Sequence, residues 1–236
     1  MASGPPDASP AEVRDGRSTR WDQHRQDRRT AIITAAIAAI EEHGPDALTG
    51  QIAERAGVPR THVYRHFDDK HALDLAVSAH IGRQMAGEIR AGLATEGSPR
   101  EIISASIDHH LGWIEAHPSL YRFLAQHAYA VRATGSHEAD DAKAVFATEL
   151  TALFQRYLTA LGVDAAPVER VVVGFVGLVD TTAAWWLERG DPPREELTRE
   201  LTEQVWLLIE HNARSYGLTL DPDQPLPRLN PPSPRP

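Results

Sequence analysis

The chain has 236 residues, 42% of them hydrophobic, enough for one generous domain or a small domain joined to a larger one. It has no cysteine, which excludes disulfide frameworks, thiol nucleophiles, iron–sulfur clusters and cysteine zinc sites, and is compatible with the expected cytoplasmic location. The net charge of −9 argues against a nucleic-acid partner for the chain as a whole, but residues 14–70 hold ten Lys/Arg against nine Asp/Glu. The other residues hold 14 and 24, so only the amino-terminal third offers a face to an anionic ligand.

In chain order, residues 1–20, MASGPPDASPAEVRDGRSTR, are too rich in Pro, Gly, Ser, Asp and Arg to bury themselves and are expected to form a disordered, basic-leaning arm. Helices are predicted over about 22–43, 48–55, 59–66, 69–95, 99–116, 119–132, 139–161, 166–189 and 193–216, an all-α fold of about nine helices. Apolar residues recur at three and four in Ile32, Ile33, Ala36, Ile37 and Ile40, and again in Leu73, Ala76, Val77, Ile81, Met85 and Ile89. Breaks fall at Gly44-Pro45, Gly57-Val58-Pro59, Gly97-Ser98-Pro99, His117-Pro118 and Gly190-Asp191-Pro192-Pro193. From Asp221 the proline-rich DPDQPLPRLNPPSPRP is expected to stay extended and solvated. The longest apolar run, residues 171–179, stops at Asp180, short of the roughly 18 residues of a membrane span, so no membrane partner is expected.

The most informative stretch is LTGQIAERAGVPRTHVYRHFDDKHAL, residues 48–73. Thr49 is placed to cap a short helix whose inward residues are Ile52, Ala53 and Ala56. Gly57 takes the left-handed turn, Val58 plugs the corner, Pro59 starts the next helix, and Val63 with Phe67 return to the core at i, i+4. Two short helices around a small-residue corner make a helix-turn-helix, which presents its second helix to a major groove. Arg60, Thr61, His62, Tyr64, Arg65 and His66 are the residues of that helix not needed for the core, and their side chains suit base edges and phosphate oxygens. A solvated charged corner with no ligand is the plainer alternative.

DALTGQIAERAGVPRTHVYRHFDDKHALDLAV resembles the amino-terminal DNA-binding domain of the TetR family of bacterial one-component repressors. The matching positions are Gly44, Ile52-Ala53, Ala56-Gly57-Val58, Tyr64-Arg65-His66-Phe67, Lys70 and Leu73, within about residues 28–75. The chain departs from the family's usual residues at Pro59, commonly Ser, and at Thr61-His62, commonly Gly-Thr or Ala-Thr. The resemblance implies phosphate contacts from Tyr64, His66 and Lys70, with His62 as a substitute donor. Base reading then falls to Arg60 and Thr61, and a backbone clamp to Thr49 and Gln51 at the start of the preceding helix. Arg14, Arg17 and Arg20 either enter the minor groove or belong to a tail that touches nothing.

The expected organisation is an arm (1–20), a helix-turn-helix DNA-binding domain (21–68), a helical effector-binding and dimerisation domain (69–217) and a Pro-rich tail (218–236). In the resembled family the larger part is a variable helical sensor whose last two helices form a two-fold dimer. Locally, the helix over 166–189 is apolar nearly all round, with Gly174 and Gly177, and the last helix offers Leu197, Leu201, Val205, Trp206, Leu208 and Ile209. Pairing both across a two-fold gives a homodimer; the alternative is that they form the monomer's core. Candidate ligand-lining residues are Trp113, Tyr121, His127, Phe146 and Trp185. DTTAAWWLERGDPPREEL resembles the closing region of family members with acyl or other lipophilic effectors, which sets a preference for a hydrophobic small molecule.

Neither Asp108-His109-His110 nor the run from His137 to Asp141 has the i, i+4 histidine spacing of a zinc-binding helix face, so no metal is expected. The sequence has no G-x-S-x-G elbow, Walker loop or G-x-G-x-x-G, and neither enzyme activity nor a cofactor is expected. The expected function is a ligand-responsive transcriptional regulator, a repressor released from a palindromic double-stranded operator by its effector. The alternative is a helical small-molecule or lipid-binding protein that does not read DNA.

Overall fold

The computed structural model describes residues 16–94, 96–134, 142–160, 162–163 and 168–226, with side chains from residue 23 onward except those of residues 128–146. Among these residues nine helices occur: α1 (Gly16–His43), α2 (Thr49–Arg55), α3 (Arg60–Val63), α4 (Lys70–Leu93), α5 (Pro99–Ala116), α6 (Pro118–Thr134), α7 (Ala142–Ala160), α8 (Val168–Arg189) and α9 (Arg194–Ser215). α1 begins at Gly16, so residues 16–20, expected in the arm, are helical. No proline intervenes between Pro10 and Pro45, so nothing in the covalent geometry stops the helix there. Residues 1–15 and the side chains of Arg14, Arg17 and Arg20 lie outside the described residues.

α1 to α3 pack around Ile32, Ala36, Ile40, Ile52, Val63 and Phe67, and Leu73 and Val77 of α4 join the same core. The corner after α2 is closed by Val58 N–H donating to the Ala53 carbonyl at 3.0 Å, with Gly57 at φ +64°. A side chain would be strained at that φ, which is why the tight reversal falls on glycine. α3 is regular for only one turn. The following residues are held by Arg65 N–H to His62 O and His66 N–H to Val63 O, tighter i→i+3 bonds that end the α-geometry at Tyr64 but still deliver Phe67 to the core.

α4 carries the chain from this head into the larger bundle, where it lies along α5. Contact is closest at Gly92, where an added Cβ would stand 2.4 Å from Ser106 Cα. α5 starts with a capping box: Ser98 N–H donates to Glu101 Oε2 at 2.8 Å and Glu101 N–H to Ser98 Oγ at 3.4 Å, with Pro99 in the first turn. The segment expected to be solvated from Asp221 is instead docked as far as Leu226, because Arg100 N–H finds its acceptor in the Pro222 carbonyl at 3.0 Å. Residues 227–236 lie outside the described residues.

The last two helices divide their apolar residues between two uses. Leu197, Leu201, Val205 and Trp206 of α9, and Val168, Val172 and Phe175 of α8, are buried within this one chain, as the alternative of a monomer core expects of them. Val173, Leu207 and Leu208 remain exposed, at 56%, 60% and 39%. An 18-residue stretch within α8 has mean hydropathy 1.3, apolar enough in length and composition to cross a membrane. Here it packs against α5, α7 and α9.

Candidate nucleic-acid interface and ligand cavity

The residues around the corner converge on one surface. Arg60, Thr61, Tyr64 and Arg65 are exposed, while His62, His66, Gln51 and Lys70 are half-buried beside them. Thr49 differs from expectation. Leu48, not Thr49, occupies the cap position of α2, and Thr49 is 5% exposed with its Oγ1 3.2 Å from the Tyr64 hydroxyl. It faces inward because α2 turns its first residue onto the following helix, so it positions Tyr64 and does not itself reach outward. That hydrogen bond, and then the Arg60 guanidinium, hold the Tyr64 phenol below its ordinary pKa. Gln51 turns back on its own helix, its Oε1 accepting from Leu48 N–H at 2.7 Å.

α1 contributes a basic side that the sequence reading missed. Arg29 donates to the His66 carbonyl at 2.7 Å and lies over the Phe67 ring at 4.1 Å, fastening α1 to the end of the recognition segment. Arg28, His62 and His66 line a shallow cleft between the two elements. Partial burial, and then the positive charges of Arg25, Arg28 and Arg29, hold the His66 imidazole below its usual pKa. The pattern R-x-x-R-R on the first helix was the available signal, since residues 25, 28 and 29 share a face at helical spacing. Arg65 Nη1 lies 2.9 Å from His62 Nε2; a guanidinium only donates, so this nitrogen is the acceptor.

Lys70, expected to contact phosphate, is already engaged. Its ammonium is ion-paired with Asp74, a buried residue of the same helix, and the other Asp74 oxygen faces His127 Nε2 of α6 at 3.5 Å. Burial opposes ionisation of Asp74, but the hydrogen bonds from His127 and Lys70 outweigh it and the carboxyl stays below its usual range. The same hydrogen bond raises the His127 imidazole, against its own burial. His127 also has Nδ1 2.8 Å from the Phe123 carbonyl.

Of the five expected ligand-lining residues, the four whose side chains are described do not line the two cavities between the helices. Trp113 is core, its ring 5.1 Å from that of His117. Tyr121 is buried with its hydroxyl donating to the Asp180 carbonyl at 3.0 Å, and burial together with the Asp180 charge pushes its pKa far up. His127 serves Asp74; Trp185 is exposed beneath the Arg189 guanidinium; the Phe146 side chain lies outside the described residues. The cavities lie instead where α4, α5, α7, α8 and α9 meet. One of about 110 Å³ includes Met85, Ile89, Phe175 and Val179, with Ser106, His110 and Asp180 as its polar groups. A second, of about 180 Å³, runs toward Trp206, Tyr216 and Leu226. Leu93, Ile103, Phe154 and Ile209 line both, so the two are adjoining apolar cavities, the two ends of a candidate channel. Aliphatic residues at a five-helix junction carry no local sequence signal, and counting aromatics pointed away from them.

Comparison with known proteins agrees with both halves of this description. Residues 32–77 match the family described as bacterial regulatory proteins, tetR family, and residues 88–217 the tetracyclin repressor-like, C-terminal domain. An uncharacterized HTH-type transcriptional regulator of Mycobacterium tuberculosis strain H37Rv is 28% identical over 193 residues, 81% of each chain. The HTH-type transcriptional activator FasR of Mycolicibacterium smegmatis is 27% identical over 190 residues, 79% of this chain and 85% of that one. Among solved structures, a tetR-family regulator from Streptomyces coelicolor superposes with TM-score 0.63 at 23% identity, over 80% of this chain and 83% of that one. FadR from Bacillus subtilis in complex with stearoyl-CoA gives 0.56 at 16%, over 75% and 96%. The structural likenesses establish a shared fold, and the two matched domains establish the family: this chain is a DNA-binding transcriptional regulator of the TetR family.

Proposed function

We propose that this regulator is a homodimeric repressor that binds a palindromic operator and is released by a small hydrophobic effector occupying the channel. One observation carries the reading: a single helix, α4, joins the DNA-facing head at Lys70 and Asp74 to the cavity wall at Met85, Ile89 and Leu93. At 1.5 Å per residue, each degree of tilt about its cavity end moves Lys70 by roughly 0.6 Å. A ligand that spreads α4 from its neighbours therefore changes the separation of two heads in a dimer, where half-sites are spaced by about one turn of DNA. Release requires tighter binding of the ligand to the spread state; equal affinity for both states shifts nothing.

On this reading residues 21–68 bind DNA and residues 69–217 bind effector and partner. Arg60 and Thr61 read bases; Tyr64, His62, Arg65 and His66 meet phosphates, with Arg25 and Arg28 beside them; Gln51 and Lys70 flank the contact. Two-fold pairing through α8 and α9 would cover Val173, Leu207 and Leu208. An acyl effector is supported by the apolar channel and by the stearoyl-CoA bound to the B. subtilis neighbour. The M. smegmatis relative is named an activator, so a second reading, activation at a promoter, is tested alongside. The experiment is a fluorescence-anisotropy titration of the operator complex with fatty acids and acyl thioesters, paired with transcription in vitro. Release of DNA and a rise in transcript are expected. Ligands that raise the melting temperature but leave operator affinity unchanged would overturn release, and a fall in transcript would favour activation.

A further inference from the structure

The family match in the carboxy-terminal part ends at residue 217, but the channel extends past it. Its far end is lined by Leu220 and Leu226, on a segment outside any helix. The position of that segment is fixed by the start of α5. Arg100 N–H, a first-turn donor with no acceptor inside its own helix, donates to the Pro222 carbonyl at 3.0 Å. Leu226 N–H donates to the Gly97 carbonyl at 3.4 Å, Arg100 Nε donates to Asp223 Oδ1 at 3.0 Å, and the Arg100 guanidinium also engages Glu203 of α9.

We infer that residues 218–226 form the end wall of the effector channel and set the longest apolar chain that it accepts. The inference rests on the hydrophobic-effector reading. A linear occupant with its polar end near Ser106, His110 and Asp180 passes the shared residues Phe154 and Ile209 and then meets Leu220 and Leu226. The side walls there belong to helices locked by buried Val168 and Trp206. The end wall is held by three backbone hydrogen bonds, Leu218 to Ala213, Arg100 to Pro222 and Leu226 to Gly97, and by an ion pair whose Asp223 partner is 72% exposed, and an exposed pair contributes little. A chain that is too long therefore displaces the tail before it displaces a helix.

The test uses the full-length protein, the Leu220→Ala/Leu226→Ala variant and Leu226→Trp. Straight-chain saturated fatty acids of increasing length compete with bound anilinonaphthalene sulfonate. In the wild type, affinity should rise by about 4-fold per added methylene up to a limiting length and then stop rising. The double alanine variant should move that limit to longer chains and Leu226→Trp to shorter ones, with ligand-free operator binding unchanged in both. In the wild type, amide exchange at Leu226 should accelerate only with acids beyond the limit, a readout independent of either variant. The same limiting length in all three proteins, or Leu226 exchange indifferent to chain length, would overturn the end wall while leaving the hydrophobic effector intact. No displacement by any acid in the wild type would overturn both.

Discussion

Gly87 and Gly92 lie on the same helix, α4, and substitution of each by alanine should have opposite effects on stability. Alanine is favoured over glycine within a helix by about 1 kcal/mol, a gain available at both positions. At Gly87 an added Cβ meets nothing within 4 Å, so the gain survives and stabilisation of about 0.5–1 kcal/mol is expected. At Gly92 the Cβ would lie 2.4 Å from Ser106 Cα, 2.6 Å from its nitrogen and 2.8 Å from the Ala105 carbonyl carbon. Carbon contacts settle near 3.5–4.0 Å, so α5 would have to retreat by roughly 1 Å or more. The obstacle is backbone, which cannot rotate aside, and overpacking of this kind costs about 1–3 kcal/mol or more. The steric cost wins over the propensity gain, and a net loss of about 2 kcal/mol corresponds to a fall of roughly 4–8 °C in melting temperature for a chain of this size. Urea and thermal unfolding of the two variants measure this directly. Equal stability of Gly87→Ala and Gly92→Ala would refute the close α4–α5 approach on which the cavity geometry depends.

Four further outcomes follow from the site. Arg60→Ala should cost about 1–3 kcal/mol on the operator and much less on random duplex; equal losses in a binding titration would make it a phosphate contact. Thr49→Val removes the partner of the Tyr64 hydroxyl, so operator affinity should fall by about 0.5–1.5 kcal/mol and the Tyr64 titration midpoint should rise; neither change would contradict the positioning role. The His127–Asp74 pair predicts a pH dependence. His127 titrates above its ordinary 6.5, so its contribution is complete below that value and is lost as pH rises through the folded value. Asp74 titrates below its ordinary 3.8, so its contribution is complete above that value and is lost as pH falls through the folded one. The unfolding free-energy gap between wild type and His127→Gln should accordingly be greatest between these two ordinary values and shrink toward alkaline pH; a gap that widens there would contradict the pairing. Ile209→Trp fills the junction of both cavities and should leave operator binding intact while abolishing effector release; release at wild-type ligand concentrations would place the ligand elsewhere.

What the sequence made legible follows from how local each cause is. Gly57 with its positive φ, the Ser98-Pro99 start of α5 and the glycines before Pro45 and Pro192 act within a few residues, and the helix boundaries they imply match closely. The recognition segment was legible in identity but not in geometry. Val63 and Phe67 must both be buried, and the chain achieves this by tightening after one α-turn. The inward Thr49, the engaged Lys70 and the arginines of α1 beside His66 depend on which helix lies opposite, which periodicity does not encode. The channel was least legible, since its walls come from five helices and from a tail whose proline content suggested solvent. α8 and α9 both read as apolar helices suited to pairing, yet much of that surface is consumed inside the chain, and of their large apolar side chains Val173, Trp185, Leu207 and Leu208 stay exposed.

The central claim is that two copies of this head read one sequence together. Selection of bound duplexes from a random pool by the purified full-length protein, at two salt concentrations, tests it most directly. A palindrome with half-sites about one helical turn apart, or a multiple of it, should emerge at both salts. Binding that enriches no sequence and vanishes as salt rises would leave only a weak polyanion surface, and would contradict the account.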